Sequence, residues 1–245
     1  NVTNGSYLVG DPLNNHLLMS DDGKSWVNVA PSSGNPKVLA VTPYGMIVLA
    51  GQSSIANDLW TSEDGGLSWD QQTAPTSSTT EWMAVHYDTS IDRWRAARNG
   101  TGVGATSVDG RTWTSGPGPQ TSATTIRDLL SQNDLWVAAG AGGILYSSSV
   151  GAGWTLAVSL PLHGFQGLSY FDSIPLWLCP KRSTGTLGDF SGSGTIYTSP
   201  TATVWSISFT ATQALSASVW LHNRFYVFGT GQTYYVSFDG AVWTT

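Results

Sequence analysis

One short phrase recurs along this chain. Ser20-Asp21-Asp22-Gly23-Lys24-Ser25-Trp26 returns as Ser62-Glu63-Asp64-Gly65-Gly66-Leu67-Ser68-Trp69 with an extra glycine. It returns again as Ser107-Val108-Asp109-Gly110-Arg111-Thr112-Trp113, and as Ser237-Phe238-Asp239-Gly240-Ala241-Val242-Trp243 without the hydroxyl before the tryptophan. Two degenerate copies stand between: Ser147 to Trp154 keeps Ser, Gly and Trp, and Ser199 to Trp205 keeps only its ends. The Ser-to-Ser steps are 42, 45, 40, 52 and 38 residues. A repeat of this length bounded by turn residues is one four-stranded antiparallel unit that cannot bury its apolar face alone and must stack on its neighbours.

Each phrase reads as a tight hairpin turn. Gly supplies positive φ without steric cost, the Asp carboxylate can accept backbone N–H bonds across the turn, and the Trp packs back between units, hiding roughly 150–250 Å². The phrase resembles the Asp-box, or bacterial neuraminidase repeat. That resemblance implies an all-β, six-bladed β-propeller of four-stranded blades, with a sialidase-like fold, covering nearly the whole chain. The expected blades span about 1–30, 36–75, 80–118, 123–158, 163–209 and 213–245 of a single domain. The first blade is incomplete. Tyr7–Val9, Leu17–Ser20 and Trp26–Val29 match its second, third and outer strands, and no inner strand precedes them. Closure would come from a segment such as Asn1–Asn4 or from a strand outside this chain, and the start at Asn1 suggests excision from a longer polypeptide. Other strands are expected at Trp82–His86, Trp94–Arg98, Leu135–Ala139, Ile144–Ser147, Leu176–Cys179 and Phe225–Phe228, among others.

Composition excludes several functions. Charged residues are 11% of the chain and the net charge is −6, against the basic stripe that duplex nucleic acid requires. No run approaches the roughly 20 apolar residues of a membrane helix. Twelve tryptophans demand a packed core. The lone cysteine, Cys179, reads as a small buried hydrophobe. No cofactor motif is visible, and no metal site either: the four histidines are scattered, and one loop around Asp21 and Asp22 has too few oxygens for calcium.

In such a fold the Asp-box turns share one face, and the loops from second to third strand and from outer to inner strand share the other. Ligands are expected there. Candidate ligand-binding residues are Glu81 and Trp82 opening an inner strand, Arg127 in the next blade, His163 in the loop before the fifth, and Lys181, Arg182, Asp189 and Phe190 in the long Pro180–Gly194 loop. Trp220 is a further candidate for a sugar ring. Arg93, Arg95 and Arg98 read as a solvated strand face with local Arg–Trp stacking. The box residues (Ser20, Asp22, Gly23, Trp26; Ser62, Asp64, Gly65, Trp69; Ser107, Asp109, Gly110, Trp113; Ser237, Asp239, Gly240, Trp243) read as structural.

Sialidase chemistry needs three arginines on a carboxylate and an early Arg-Ile-Pro string. The nearest string here is Ser173-Ile174-Pro175, and Arg224 sits in a turn on the wrong face. A general glycosidase needs two carboxylates about 5–10 Å apart; Glu81 with Asp128 or Asp189 are the available ones. The expected function is therefore a non-catalytic propeller binding a glycan or protein receptor, on a virion tail or fibre or a secreted adhesin. A glycoside hydrolase and a protein-binding assembly factor are the alternatives.

Overall fold

The structure is a computed structural model that describes residues 7–11, 16–32, 35–52, 59–75, 80–99, 102–119, 125–147, 153–165, 167–182 and 192–245. These form strands and turns, with no helix among the described residues. The chain divides into two compact units, Asn1–Gly118 and Pro119–Thr245.

The first unit holds three antiparallel sheets. β1 (Tyr7–Asp11), β2 (His16–Ser20) and β3 (Val27–Asn28) make the first, in that order. β4 (Asn35–Val41), β5 (Ile47–Gln52), β6 (Leu59–Ser62) and β7 (Asp70–Gln72) make the second. β8 (Trp82–Asp88), β9 (Arg93–Arg98), β10 (Val103–Ser107) and β11 (Thr114–Pro117) make the third. The first sheet thus lacks a fourth strand among the described residues, as the spacing implied.

The second unit holds the other three. β12 (Ile126–Gln132), β13 (Leu135–Ser147) and β14 (Thr155–Gly164) form the fourth sheet. β15 (Ser169–Phe171), β16 (Leu176–Lys181), β17 (Thr195–Ser199) and β18 (Ser206–Thr210) form the fifth. β19 (Leu215–Leu221), β20 (Arg224–Gly229) and β21 (Tyr234–Ser237) form the sixth. Two departures from a uniform four-stranded pattern appear here. The expected Leu135–Ala139 and Ile144–Ser147 strands are halves of one strand, β13, joined through Gly140-Ala141-Gly142-Gly143 with Gly142 at φ 91°; its first half pairs with β12 and its second with β14. In the sixth sheet the outer strand is reduced to one bridge between Val236 and Thr244.

Burial follows strand position. β5, β6 and β9 are almost wholly buried, while the outer β7 and β11 are mostly exposed. The cores lie between consecutive sheets. Leu17, Leu49 and Trp60 with Leu8 and Trp69 join the first sheet to the second. Val48, Leu59, Trp82, Trp94 and Trp113 join the second to the third. Val137, Ile144, Phe165 and Trp177 with Trp205 join the fourth to the fifth, and Leu178, Ile196, Leu215 and Phe225 with Trp243 the fifth to the sixth. Cys179 is buried inside the fourth–fifth core and takes part in no disulfide.

The repeated turns are built alike. In the third copy the Ser107 hydroxyl donates to Asp109 Oδ1 at 2.9 Å, the Gly110 amide donates to Ser107 Oγ at 2.9 Å, and the Arg111 and Thr112 amides donate to Asp109 Oδ1 at 2.9 and 2.7 Å. Asp22 and Asp239 accept from the two following amides in the same way. The second copy corrects one expectation. Gly65 was the expected turn glycine; the extra residue shifts the role to Gly66, whose amide bonds Ser62 Oγ at 2.8 Å, and both glycines take positive φ. The fourth copy, residues 148–152, lies outside the described residues. In the fifth, Ala202 takes the glycine's place at φ 60°.

The turn glycines also press on the sheet before them. A Cβ on Gly66 would sit 3.5 Å from Leu8, on Gly110 3.1 Å from Met46, and on Gly240 2.4 Å from Leu176. Trp69 Nε1 reaches Val29 O of the first sheet at 2.7 Å. Trp26, on the first sheet of its unit, is 40% exposed.

The β19–β20 connection is a two-residue turn between paired Leu221 and Arg224, with His222 at φ 48° and Asn223 at φ 59°. Two successive positive φ values favour Asn-Gly. The double variant His222→Asn/Asn223→Gly is expected to gain about 1 kcal/mol, read as a higher urea midpoint with an unchanged slope.

Candidate functional site

The second unit assembles cations where the fourth and fifth sheets meet. β14 runs past the expected outer strand, through the segment expected to be a loop, and ends at Gly164, which pairs with Ala141. The Gly164 carbonyl accepts the Arg182 amide at 2.8 Å, and Phe165 bridges Lys181. The end of β14 is thus held between Gly140–Ala141 of one sheet and Lys181–Arg182 of the next. Arg127, near the start of β12, lies over Gly164: a Cβ built there would be 2.2 Å from Arg127 Nη1. Its φ is not positive, so a Cβ here would conflict only with the Arg127 guanidinium and would push that group aside.

The two guanidiniums feel each other. Burial, and then the charge of Arg182, depress the Arg127 pKa. Arg182 is only 5% exposed. Burial also lowers the Lys181 pKa. Two guanidiniums, Arg127 over Gly164 and the nearby Arg182, thus lie close together in a chain whose net charge is −6.

Asp128 faces a different task. Its Oδ2 accepts the Leu168 amide at 2.6 Å and its Oδ1 accepts the Leu129 amide at 2.8 Å. It fastens the inner strand of the fourth sheet to the entry of the fifth. Burial raises its pKa to about 6 against those amide bonds.

The other expected site residues fare differently. Glu81 and Trp82 belong to the first unit. Glu81 lends its backbone carbonyl to the Asn99 amide. Trp82 is fully buried with the Arg98 guanidinium 4.4 Å over its ring, so it presents no face to a ligand. That also corrects the solvated arginine face: Arg95 and Arg98 are 1% and 0% exposed and donate to the Pro117 and Thr80 carbonyls at 3.2 and 2.8 Å. Trp220 is stacked on Phe171, centroids 3.5 Å apart. His163 falls in β14 rather than in a loop, and its side chain lies outside the described residues, as do Asp189 and Phe190. Arg224 opens β20 with its guanidinium 4.3 Å over Phe238 of the sixth repeat turn, on the turn side as expected.

Sequence reasoning missed two cavities beside the first sheet. One of about 330 Å³ is lined by Leu8–Gly10, Leu17, Lys37–Leu39 and Leu49. A more open one of about 530 Å³ lies along Asn28–Ser32, Trp60 and Leu67–Trp69. The missing inner strand was the signal for the first; the second left no trace in the pattern.

No protein-family profile matches the chain, and no curated protein sequence is similar to it. Solved structures are similar in fold. The GH74 xyloglucanase of Xanthomonas campestris superimposes with a TM-score of 0.72 at 11% identity, over 99% of this chain and 43% of that one. The GH74 enzyme of Niastella koreensis gives 0.70 at 13% identity, over 100% of this chain and 46% of that one. An ancestral GH74 enzyme gives 0.67 at 14%, over 98% and 37%. This chain spans less than half the length of these structures. At such identities the likeness speaks for the fold alone: an all-β chain of six antiparallel three- or four-stranded sheets, with the β-propeller fold.

Proposed function

We propose that this chain is a non-catalytic binding propeller whose repeated turns are Asp-boxes of the sialidase-like kind, and that it binds a glycan through the Arg127–Lys181–Arg182 cluster. The Arg127 guanidinium, lying over Gly164 and close enough to Arg182 to feel its charge, carries the reading. Paired arginines suit a planar carboxylate or a sulfate better than a neutral sugar, so the glycan is an acidic one. The Ser-, Thr- and Gly-rich, low-charge surface fits display outside a cell or on a virion, as a receptor- or glycan-binding domain.

The alternative reading is a glycoside hydrolase, the class of the GH74 structures that share this fold. Against it, both oxygens of Asp128 are taken by backbone amides, which suits a structural clamp better than an acid or nucleophile.

A glycan array with the intact chain tests this. Binding to carboxylated or sulfated glycans is expected, weakened about tenfold or more by Arg182→Gln, the loss of one charge-assisted pair. Gly164→Ala is expected to displace Arg127 and weaken binding comparably. Turnover of fluorogenic glycosides would overturn the non-catalytic reading, and so would an array without any bound glycan.

A further inference from the structure

Among the described residues the first sheet has an open edge beside a groove. β1 is the terminal strand in the order β1-β2-β3. Its outward groups follow from the pairing. The Leu17 amide and carbonyl are both used on the β3 side, by Asn28 Oδ1 and the Val29 amide. Alternation then turns Leu18 toward β1, where it opposes Val9. The amides and carbonyls of Leu8 and Gly10 consequently point to the open edge. These residues line the cavity of about 330 Å³, whose other wall is β4 with Lys37 and Leu39. Leu39 packs toward the first sheet, whereas Val38 and Ala40 pack toward the third. Lys37 is the bulged residue between Pro36 and Val38 and also lines the cavity.

The next pair of sheets shows what belongs in such a place. There β4, the inner strand of the second sheet, lies against β8, the inner strand of the third. Nothing equivalent lies against β4 from the first sheet among the described residues.

We propose that this groove is a strand-acceptor site: an extended segment of a partner polypeptide adds to the β1 edge, bonds Leu8 and Gly10, sets alternate apolar side chains on Leu39 and Leu49, and presents a carboxylate to Lys37. Main-chain bonds would supply affinity and the groove specificity. The site is separate from the cation cluster and does not depend on the glycan reading.

The probe is an acetylated synthetic peptide of sequence WMAVHYD, an inner strand of this same chain with a terminal aspartate. Titrated into the intact ¹⁵N-labelled protein, it is expected to shift the amides of Leu8, Gly10, Lys37 and Leu39. Gly10→Pro removes an outward donor from an edge strand without touching the β1–β2 ladder, and a Cβ there meets no atom within 4 Å. It is expected to weaken binding at least tenfold. Lys37→Gln, at a partly exposed position, is expected to weaken it about threefold to tenfold, and changing the peptide's aspartate to asparagine should do the same. No binding at millimolar peptide, or shifts confined to other sheets, would overturn the site. Binding only after removal of residues 1–6 would show an occupant from within the chain, and concentration-dependent dimerisation through β1 would show a second copy; either result overturns the partner strand.

Discussion

Trp177→Ala is expected to lower the unfolding free energy by about 3–5 kcal/mol, which for a chain of this size is a fall in Tm of roughly 6–20 °C. Trp177 is 1% exposed and lies on β16, where it fills the space between the fourth and fifth sheets. Its ring is tilted on Tyr170 at 4.7 Å, and Val137, Ala139 and Phe165 enclose the rest. These neighbours sit on strands fixed by their own ladders, so the space left by the indole cannot collapse. Trp26→Ala provides the contrast. The same side chain, 40% exposed on the first sheet, is expected to cost about 1 kcal/mol. Urea denaturation of both variants checks the pair, and equal losses would contradict the packing between sheets.

Asp109→Ala is expected to cost on the order of 2 kcal/mol, because it strands two backbone amides and the Ser107 hydroxyl. All three bonds end on one oxygen, Oδ1. An asparagine can offer the same atom, so Asp109→Asn is expected to cost less than half as much. The charge shows itself in the pH dependence. For Asp109 burial works against ionisation and is outweighed by the Thr112 and Arg111 amides, holding the carboxyl at about 2. The amides of Ser25 and Lys24 hold Asp22 at about 2 as well. A carboxyl lowered on folding stabilises fully above its unfolded pKa of about 3.9 and loses that contribution as pH falls toward 2. Asp109→Asn should therefore flatten the stability curve between about pH 4 and pH 2.

A second acid window lies above the first. Burial pushes His86 down to about 4, Asp88 opposing. The unfolded chain then binds more protons between pH 6.5 and 4, and stability falls as pH drops through that range. Asp128, raised to about 6, acts in the opposite sense, since the folded chain takes up a proton there first. His86→Gln should leave Asp128 alone in this window, so that stability rises slightly on acidification from pH 6 to pH 4. Chemical denaturation at half-unit pH steps resolves both effects.

The recurring turn made the sheets legible because its chemistry is local: Ser, Asp and Gly bond to one another within four residues. The three-stranded first sheet followed from the same spacing. What the pattern could not show were contacts between repeats. Nothing in the alternation of β9 said that Arg95 and Arg98 would be buried, because their partners are the Pro117 and Thr80 carbonyls and the Trp82 ring, contributed by other strands and their ends. The Gly140–Gly143 bend hid the fusion of two strands, since glycine marks a turn and a bend alike. At the candidate site Arg127 and Arg182 were legible as residues, but Gly164, over which the Arg127 guanidinium lies, carried no signal of its own.

The lean of the second, third and sixth turns onto the sheets before them means that the sequence period and the cooperative unit are out of phase there. A cut placed neatly between two repeats would sever a tryptophan from the surface it seals. Grafting or permuting this scaffold would instead succeed with breaks inside a repeat, after the outer strand has received its neighbour's indole, so that every fragment keeps its lid.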